Sequence, residues 1–549
     1  MPISLSRIIC GTATVAAGLL FTSAFPKWNL AGAAWVAPGL LLFAALGVGR
    51  RGAFAVGFVG GFVHGLASLS WLLNIPYTFH ALPLAPALGW IALSSYVALY
   101  PAVWVWLCWK LLSWNGNTPT LGEFADRSGW ERARWCFLCA AAWVGLEVFR
   151  AGFLSGFPWN PLGASQYAIL PLIQVASLGG VYAISFLVVW TSVSIVAALA
   201  VMMGSQPVRI SGAFSGAFSG NLMRDAFPAL LAVALSVSFG MHRIFSSPPP
   251  ARELVAALIQ PSIPQTLIWD SNANAARFEK VLELSKQALA HKPDLLVWPE
   301  SALPETSDEN LTTLANLAKS NHVWIILCVD DADPPSALGQ PPKYYNASIL
   351  ISPDGKAVAR YRKHRLVIFG EYVPLADWLP FLKWFTPVDG GFTPGIGPVP
   401  FMLTQPEAEA SVLICFEDVF PQEARFHVTA GTDFLLNLTN DGWFGRGAAQ
   451  WQQAATALFR AVENGVPLVR CTNDGLTCWI DEVGRIRQIV NPDDIYGSGY
   501  LIARIALPAS GTRTPTFYNR HGDIFGWTCA GWVLILSGLS WGRNRVATS

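Results

Sequence analysis

Ser246-Ser247-Pro248-Pro249-Pro250 is a stiff polar linker, and Leu254-Val255-Ala256-Ala257-Leu258-Ile259 just beyond it is an apolar, β-rich run suited to a buried strand. The chain changes character across this join. Residues 1–250 hold 17 charged side chains (12 Lys or Arg, 5 Asp or Glu), whereas residues 251–549 hold 54. Over all 549 residues 53% are apolar and 13% charged, against roughly 25% charged in an ordinary soluble protein. One half is built for lipid and the other for water. That excludes a purely soluble enzyme, a disordered chain and a collagen-like fibre. A net charge of +1 offers no basic face, so nucleic acid is not an expected partner.

Upstream of the join the apolar runs set the organisation. A bilayer core takes about 20 apolar residues per helix, and candidate spans lie near 8–25, 30–48, 52–73, 86–112, 134–150, 171–203 and 226–244, with an eighth at 523–541. The first resembles a secretory signal, but further spans follow at once, so an uncleaved helix is expected. The fifth is short and carries Glu147, which is expected either to pair with Arg150 three residues on or to contact a lipid headgroup, rather than to be catalytic. Arg50, Arg51, Lys110, Arg127, Arg132, Arg134, Arg209, Arg224, Arg543 and Arg545 all fall on the side of the termini. By the positive-inside rule both termini are cytoplasmic, and the block between the seventh and eighth spans lies outside the cytoplasm. The expected domains are residues 1–250 with seven membrane helices, 251–515 as an extracytoplasmic α/β domain, and 516–549 with the eighth helix.

Downstream, Leu254–Ile259, Leu295–Trp298, Val323–Val329, Ala347–Ile351, Ser411–Cys415 and Phe434–Leu438 are expected strands. They are interleaved with amphipathic helices over Asn272–Ala290 and Glu309–Ser320, which is the pattern of an α/β domain. Asp354-Gly355 is an expected hairpin turn. The block has no GxxxxGK[ST], no HExxH and no GxSxG. The nine cysteines are too sparse for a disulfide scaffold, and the lone Cys136/Cys139 CxxC lacks a second pair at zinc spacing. Neither a metal nor a cofactor is expected. The eight histidines are scattered, so a nucleophile here needs a base other than histidine.

Three segments carry candidate chemistry. Leu295-Leu296-Val297-Trp298-Pro299-Glu300 ends a buried strand in a carboxylate, where active sites of α/β sheets form. Tyr361-Arg362-Lys363-His364-Arg365 sets a basic cluster eight residues ahead of Glu371. Val412-Leu413-Ile414-Cys415-Phe416-Glu417-Asp418 ends an apolar strand in a cysteine followed by acids, and a reactive thiol wants polar, cationic company. Each alone also fits a structural reading: a solvated strand end, a solvated charge run, a packed thiol. Together they form one mechanism, in which Cys415 attacks an acyl carbon, Glu300 takes its proton and Lys363 stabilises the negative charge. Glu371 then holds the lysine or the leaving group.

A Glu–Lys–Cys set in the contexts WPES, YRKH…FGEYVP and ICFED resembles the nitrilase (carbon–nitrogen hydrolase) superfamily. Set between membrane spans, it resembles the apolipoprotein N-acyltransferase family. Further likeness lies in Gly145-Leu146-Glu147-Val148-Phe149-Arg150, Ser155-Gly156-Phe157-Pro158-Trp159, Ile259-Gln260-Pro261-Ser262-Ile263-Pro264-Gln265 with Trp269-Asp270, Asn440-Asp441-Gly442-Trp443-Phe444-Gly445 and Thr472-Asn473-Asp474-Gly475. One departure stands out: Gln450 is followed by Trp451 where the family usually has histidine.

The resemblance implies an αββα sandwich on an eight-helix membrane base. It also implies Glu300 as base, Lys363 as oxyanion and thiolate partner, and Cys415 as nucleophile. Glu371 and Glu417 would be supporting carboxylates, with Trp269 at the entrance. The implied reaction takes an acyl chain from a membrane phospholipid through a cysteine thioester to the N-terminal amine of a diacylglyceryl-cysteine apolipoprotein. The implied setting is a bacterial inner membrane, with the catalytic domain periplasmic and the protein a monomer. A membrane-tethered amidase with water as acceptor is the alternative. Trp378-Leu379-Pro380-Phe381-Leu382-Lys383-Trp384-Phe385, flanked by Gly390, Gly391 and Gly395, is expected to be a lipid-contacting arm through Trp378, Trp384 and Phe385.

Overall fold

The computed structural model describes residues 3–75, 84–113, 118–204, 214–246, 250–334, 342–376, 378–380, 391–509 and 511–546. The chain divides into two compact units. The first comprises Met1–Ser70, Leu88–Phe245 and His521–Ser549, and the second Trp71–Ala87 and Ser246–Arg520.

The first unit is helical. Four described helical segments are long and apolar enough to cross a membrane: Ala85–Leu112, Gly129–Ser155, Val181–Met202 and Asp225–Phe245. The other four expected spans are not among these. Ile8–Ser23 and Ile524–Ile535 are shorter apolar runs within the helices Ile3–Ser23 and Ile524–Val546, Ala31–Ala44 is a third short run, and Arg50–Ser68 is glycine-rich and opens on two arginines. Residues 30–48 form a 3-10 turn, Ala31–Trp35, then a helix over only Ala37–Ala44. Eight residues rise about 12 Å, well short of a bilayer core. The expected 171–203 span is broken into Leu170–Ile173, Ala176–Gly179 and Val181–Gly204, with Gly180 in positive φ at the second break. The fifth helix is longer than expected, Gly129–Gly152, because Ser128 and Glu131 form a capping box that starts it a turn early. Gly145 on this helix lets Ala530 approach closely; a Cβ there would stand 2.9 Å from the Ala530 Cα.

The second unit is built on two six-stranded sheets. Its strands are β1 (Arg252–Gln260), β2 (Leu295–Val297), β3 (Trp324–Asp333), β4 (Lys343–Ile351), β5 (Ala357–Arg362), β6 (Pro400–Thr404), β7 (Glu407–Ile414), β8 (Phe434–Thr439), β9 (Leu468–Thr472), β10 (Cys478–Ile480), β11 (Ile486–Ile489) and β12 (Gly499–Leu507). The sheet orders are β12-β1-β2-β3-β4-β5 and β11-β10-β9-β8-β7-β6. Each has a parallel centre, β1-β2-β3 and β7-β8-β9, with antiparallel flanks.

Side chains alternate across these sheets as the pleat requires. Leu254, Ala256 and Leu258 of β1 share one core with Val412 and Ile414 of β7 and Leu436 of β8, so the two sheets pack face to face. Ala257, Ile259, Leu296 and Ile325 point the other way, against Val281 and Ala288 of helix Asn274–Leu289 and Leu314 and Ala318 of helix Asp308–Asn321. Helices Pro421–His427 and Ala449–Asn464 pack on the second sheet's side. The result is an αββα sandwich, and strands buried on both faces explain why they appear as unbroken apolar runs in the sequence. The expected Asp354-Gly355 turn joins β4 to β5, with Gly355 at φ +72°.

Candidate active site

Both parallel centres end where the candidate residues begin. β2 runs out at Val297, and Trp298-Pro299 carries the chain to Glu300. β7 ends at Ile414, and Cys415 follows with φ +52°, a left-handed conformation unusual for a residue with a side chain. Such a backbone costs on the order of 1–3 kcal/mol and persists only where neighbours hold it. Here Asn437 Nδ2 (3.0 Å) and Gln453 Nε2 (3.3 Å) donate to the Cys415 carbonyl. The preceding Ile414 N–H donates to Glu417 at 2.7 Å.

Glu300 and Thr439 both bear on the Cys415 thiol, the carboxyl holding its proton on and the hydroxyl easing its loss. Glu300 also accepts from Asn346 Nδ2 at 2.8 Å and from the Asn440 N–H at 3.1 Å. Lys363, one residue past β5, is buried with its Nζ 2.8 Å from Glu371 Oε1. Asn346 Nδ2 lies 3.0 Å from the same Glu371 oxygen, so one amide ties both carboxylates together. Glu371 Oε2 takes the Val367 N–H at 2.8 Å, bending its own loop back onto the lysine. Of Glu300, Lys363 and Cys415, only Cys415 keeps part of its surface open.

Electrostatics set the resting proton positions. Burial pushes the Glu300 carboxyl up, with Lys363 pulling the other way and Glu371 adding to the rise. Burial likewise raises the Cys415 thiol well above its usual range, and Glu300 adds to this while Lys363 opposes it. Burial works against the Lys363 ammonium, yet Glu371, Cys415 and Glu300 outweigh it and raise its pKa. Burial thus favours the protonated Cys415 thiol, with the Lys363 ammonium as the fixed cation of the cluster. A general base is therefore needed at the moment of attack.

Glu417 is fully buried, but it faces structure rather than the thiol. It accepts from the Tyr361 hydroxyl (2.8 Å) and from the N–H groups of His364 (2.9 Å), Arg365 (2.9 Å) and Ile414 (2.7 Å). These donors flank Lys363 on one side and Cys415 on the other, so Glu417 clamps the two segments in register. Asp418, next along, pairs with buried Arg470 and accepts from Gln453 at 3.0 Å. Aromatics gather around Trp443 and Phe444: half-exposed Trp269 meets Trp443 edge-on at 5.0 Å, and buried Trp71 meets Phe444 at 4.6 Å. Trp378 is 85% exposed; Trp384 and Phe385 lie outside the described residues.

A carbon–nitrogen hydrolase family model matches residues 255–509, and a model of the apolipoprotein N-acyltransferase N-terminal domain matches residues 17–194. A relative from Geobacter metallireducens named apolipoprotein N-acyltransferase is 33% identical over 539 residues, spanning 97% of this chain and 95% of its own. The chain belongs to the apolipoprotein N-acyltransferase family. A second relative of that name, from Vibrio vulnificus, is 30% identical over 541 residues, 96% of each chain. An amidase structure from Nesterenkonia sp. AN1 aligns over 48% of this chain and 94% of its own, at 18% identity and a TM-score of 0.35.

In this member of the apolipoprotein N-acyltransferase family, a membrane protein, the sequence pointed to the carboxylates, the amine and the thiol. It did not point to Asn346, Thr439, Asn437 or Gln453. Asn346 follows Lys343-Tyr344-Tyr345 on β4, one residue before the apolar run Ala347–Ile351 from which the strand was expected. Trp451 is half-buried, and its neighbour Gln450 donates to the Asp441 and Gly445 carbonyls.

Proposed function

We propose that this protein transfers an acyl chain from a membrane phospholipid to the N-terminal α-amine of a diacylglyceryl-cysteine apolipoprotein, through a thioester on Cys415. The observation that carries the reading is the gathering of Glu300 and buried Lys363 around Cys415, in a chain that matches the family through both units.

In the first half-reaction Glu300 takes the thiol proton as sulfur bonds to the ester carbonyl carbon, and Lys363 offsets the charge gathering on oxygen. The carbon–oxygen ester bond breaks, the proton passes from Glu300 to the departing alkoxide, and a lysophospholipid leaves. In the second, the lipoprotein amine attacks the thioester, Glu300 receives its proton, the carbon–sulfur bond breaks and the thiol is restored. Two bulky lipids thus never need to meet. Glu371 and Glu417 act as positioning residues, the first on Lys363 and the second on both loops. Trp269 and Trp378 are proposed lipid contacts.

The proposed setting is the bacterial inner membrane, with the protein a monomer, residues 1–250 and 516–549 supplying the crossings, and residues 251–515 periplasmic. The four shorter expected spans would complete eight crossings and leave both termini cytoplasmic, the side favoured by the arginine and lysine distribution.

The test is the fate of the acyl group. Acylated enzyme given a diacylated lipopeptide with a free α-amine is expected to yield an amide. The same peptide blocked at its amine is expected to leave the thioester intact. Release of free fatty acid at equal rates with either peptide, and no amide, would instead establish the hydrolase.

A further inference from the structure

Behind the nucleophile lie two aspartates and one arginine, all fully buried, that take no part in the acyl chemistry. Arg470 of β9 pairs with Asp418 through Nη1, while its Nη2 stands 3.6 Å from Asp441 Oδ2. That second contact is too long for a hydrogen bond, and among the described residues neither Arg470 Nη2 nor Asp441 Oδ2 has a hydrogen-bond partner. The backbone at Gly475, φ +148°, presses on the same oxygen: a Cβ there would stand 2.6 Å from it.

One cation between two buried acids cannot neutralise both. Burial raises the carboxyls of both aspartates. Asp418 takes the direct bond from Arg470 and a second from Gln453 at 3.0 Å, and Asp441 has neither. Asp441 is therefore the acid that keeps its proton. Burial, with the charges of Asp418 and Asp474 adding to it, brings its carboxyl up to about 7 against the pull of Arg470.

A single hydroxyl separates Asp441 from the nucleophile. Ile414 of β7 lies beside Leu438 of β8 in the parallel ladder, so the residues that follow, Cys415 and Thr439, are neighbours at the ends of the two strands. Thr439 is buried, and its Oγ1 lies 3.2 Å from Asp441 Oδ1. A threonine hydroxyl has one proton to give and can also accept. Beside an ionised Asp441 it gives that proton to the carboxylate. Beside a protonated Asp441 it accepts, and its own proton is free for sulfur.

We propose that Asp441 and Thr439 are positioning residues for the Cys415 thiolate, the Asp441 O–H donating to Thr439 Oγ1 and the Thr439 O–H donating to the sulfur. No proton moves along the pair; the thiol proton still goes to Glu300. The same donor serves the sulfur again as the leaving group when the amine opens the thioester. The inference deepens the proposed function and rests on Cys415 as its nucleophile.

The experiment reads the thiolate itself. Full-length protein in detergent, without lipid, is treated with iodoacetamide, and alkylation of Cys415 is timed by peptide mass across the neutral pH range. Asp441→Asn stays neutral and can still donate to Thr439, so its rate is divided by that of the parent at each pH. The ratio is expected near one on the acid side of the Asp441 titration. On the alkaline side, where the parent has lost its donor to sulfur, it should rise to about tenfold, as suits one hydrogen bond to a charged group. Arg470, Asp418 and Asp474 around Asp441, and Glu300, Lys363 and Glu371 around the thiol, are common to both proteins and cancel in the ratio. With Thr439→Val in both, the ratio should stay flat; with Thr439→Ser it should rise as before. Thr439→Ala repeats the comparison if valine disturbs β8. A flat ratio with Thr439 intact overturns the proposal. A ratio that still rises with valine or alanine overturns it too, by showing that Asp441 acts through its charge alone. The expected ratios in a protein that forms no thioester would refute the proposed function and leave the pair standing.

Discussion

Glu417 in the αββα unit and Glu147 in the helical unit are both buried glutamates, and their surroundings treat them oppositely. Glu417 collects four donors from two segments, with both oxygens occupied. Glu147 has two donors on one oxygen and a second oxygen with no good partner. The cations differ in the same sense: Lys363 sits 2.8 Å from Glu371, whereas Arg150 has no carboxylate partner among the described residues. A buried charge whose hydrogen bonds are complete belongs to the architecture.

That distinction can be broken by measurement. The largest effect is expected for Glu417→Ala, which strands the Arg365 and Ile414 N–H groups and leaves the Tyr361 hydroxyl and the His364 N–H with only their longer bonds, to His427 and to Tyr361. At about 1–3 kcal/mol per stranded group, the catalytic unit should lose on the order of 4 kcal/mol or more. Glu147→Gln should cost the helical unit about 1 kcal/mol or less. Thermal unfolding of the two variants side by side checks this, and equal losses would erase the contrast. Next comes Lys363→Met, which removes the cation facing the developing oxyanion. The rate of Cys415 acylation should fall about 10²- to 10³-fold, read by quenched time points at saturating phospholipid.

Asn346→Ala sharpens the picture within the site. The Asn346 hydrogen bond favours ionised Glu300, while burial disfavours it. Without that amide Glu300 ionises less readily, so the acid limb of the acylation pH profile should move to higher pH. A shift near one unit corresponds to about 1.4 kcal/mol. An unmoved limb would show that Asn346 only fills space.

Much of this was legible in the sequence because it is local. Cys415 and Glu300 lie at or just beyond the ends of apolar strands, and Lys363 and Glu371 are eight residues apart on one loop. The strands Leu254–Ile259 and Phe434–Leu438 declared themselves through unbroken apolar runs, since both faces are covered. What was hidden depends on distant partners. Nothing near Asn346 says that it will bridge Glu300 and Glu371, and the donors to Glu417 lie more than 50 residues upstream apart from Ile414. In the membrane half, four of the expected spans stand as helices long and apolar enough to cross a membrane, and hydropathy passed over the breaks within residues 30–48 and 171–203. Pro38 and the Gly179-Gly180 pair interrupt helices that remain apolar throughout. The early start of helix Gly129–Gly152 was written in Ser128-Gly129-Trp130-Glu131, a capping box that apolarity alone passes over.

The central claim is that Cys415 carries the acyl chain. Purified protein incubated with phospholipid vesicles and then weighed intact should gain the mass of one fatty acyl group, lose it to neutral hydroxylamine, and gain nothing when Cys415 is replaced by serine. A protein that releases lysophospholipid at full rate with no acyl mass on Cys415, or that is acylated equally in Cys415→Ser, would contradict the account.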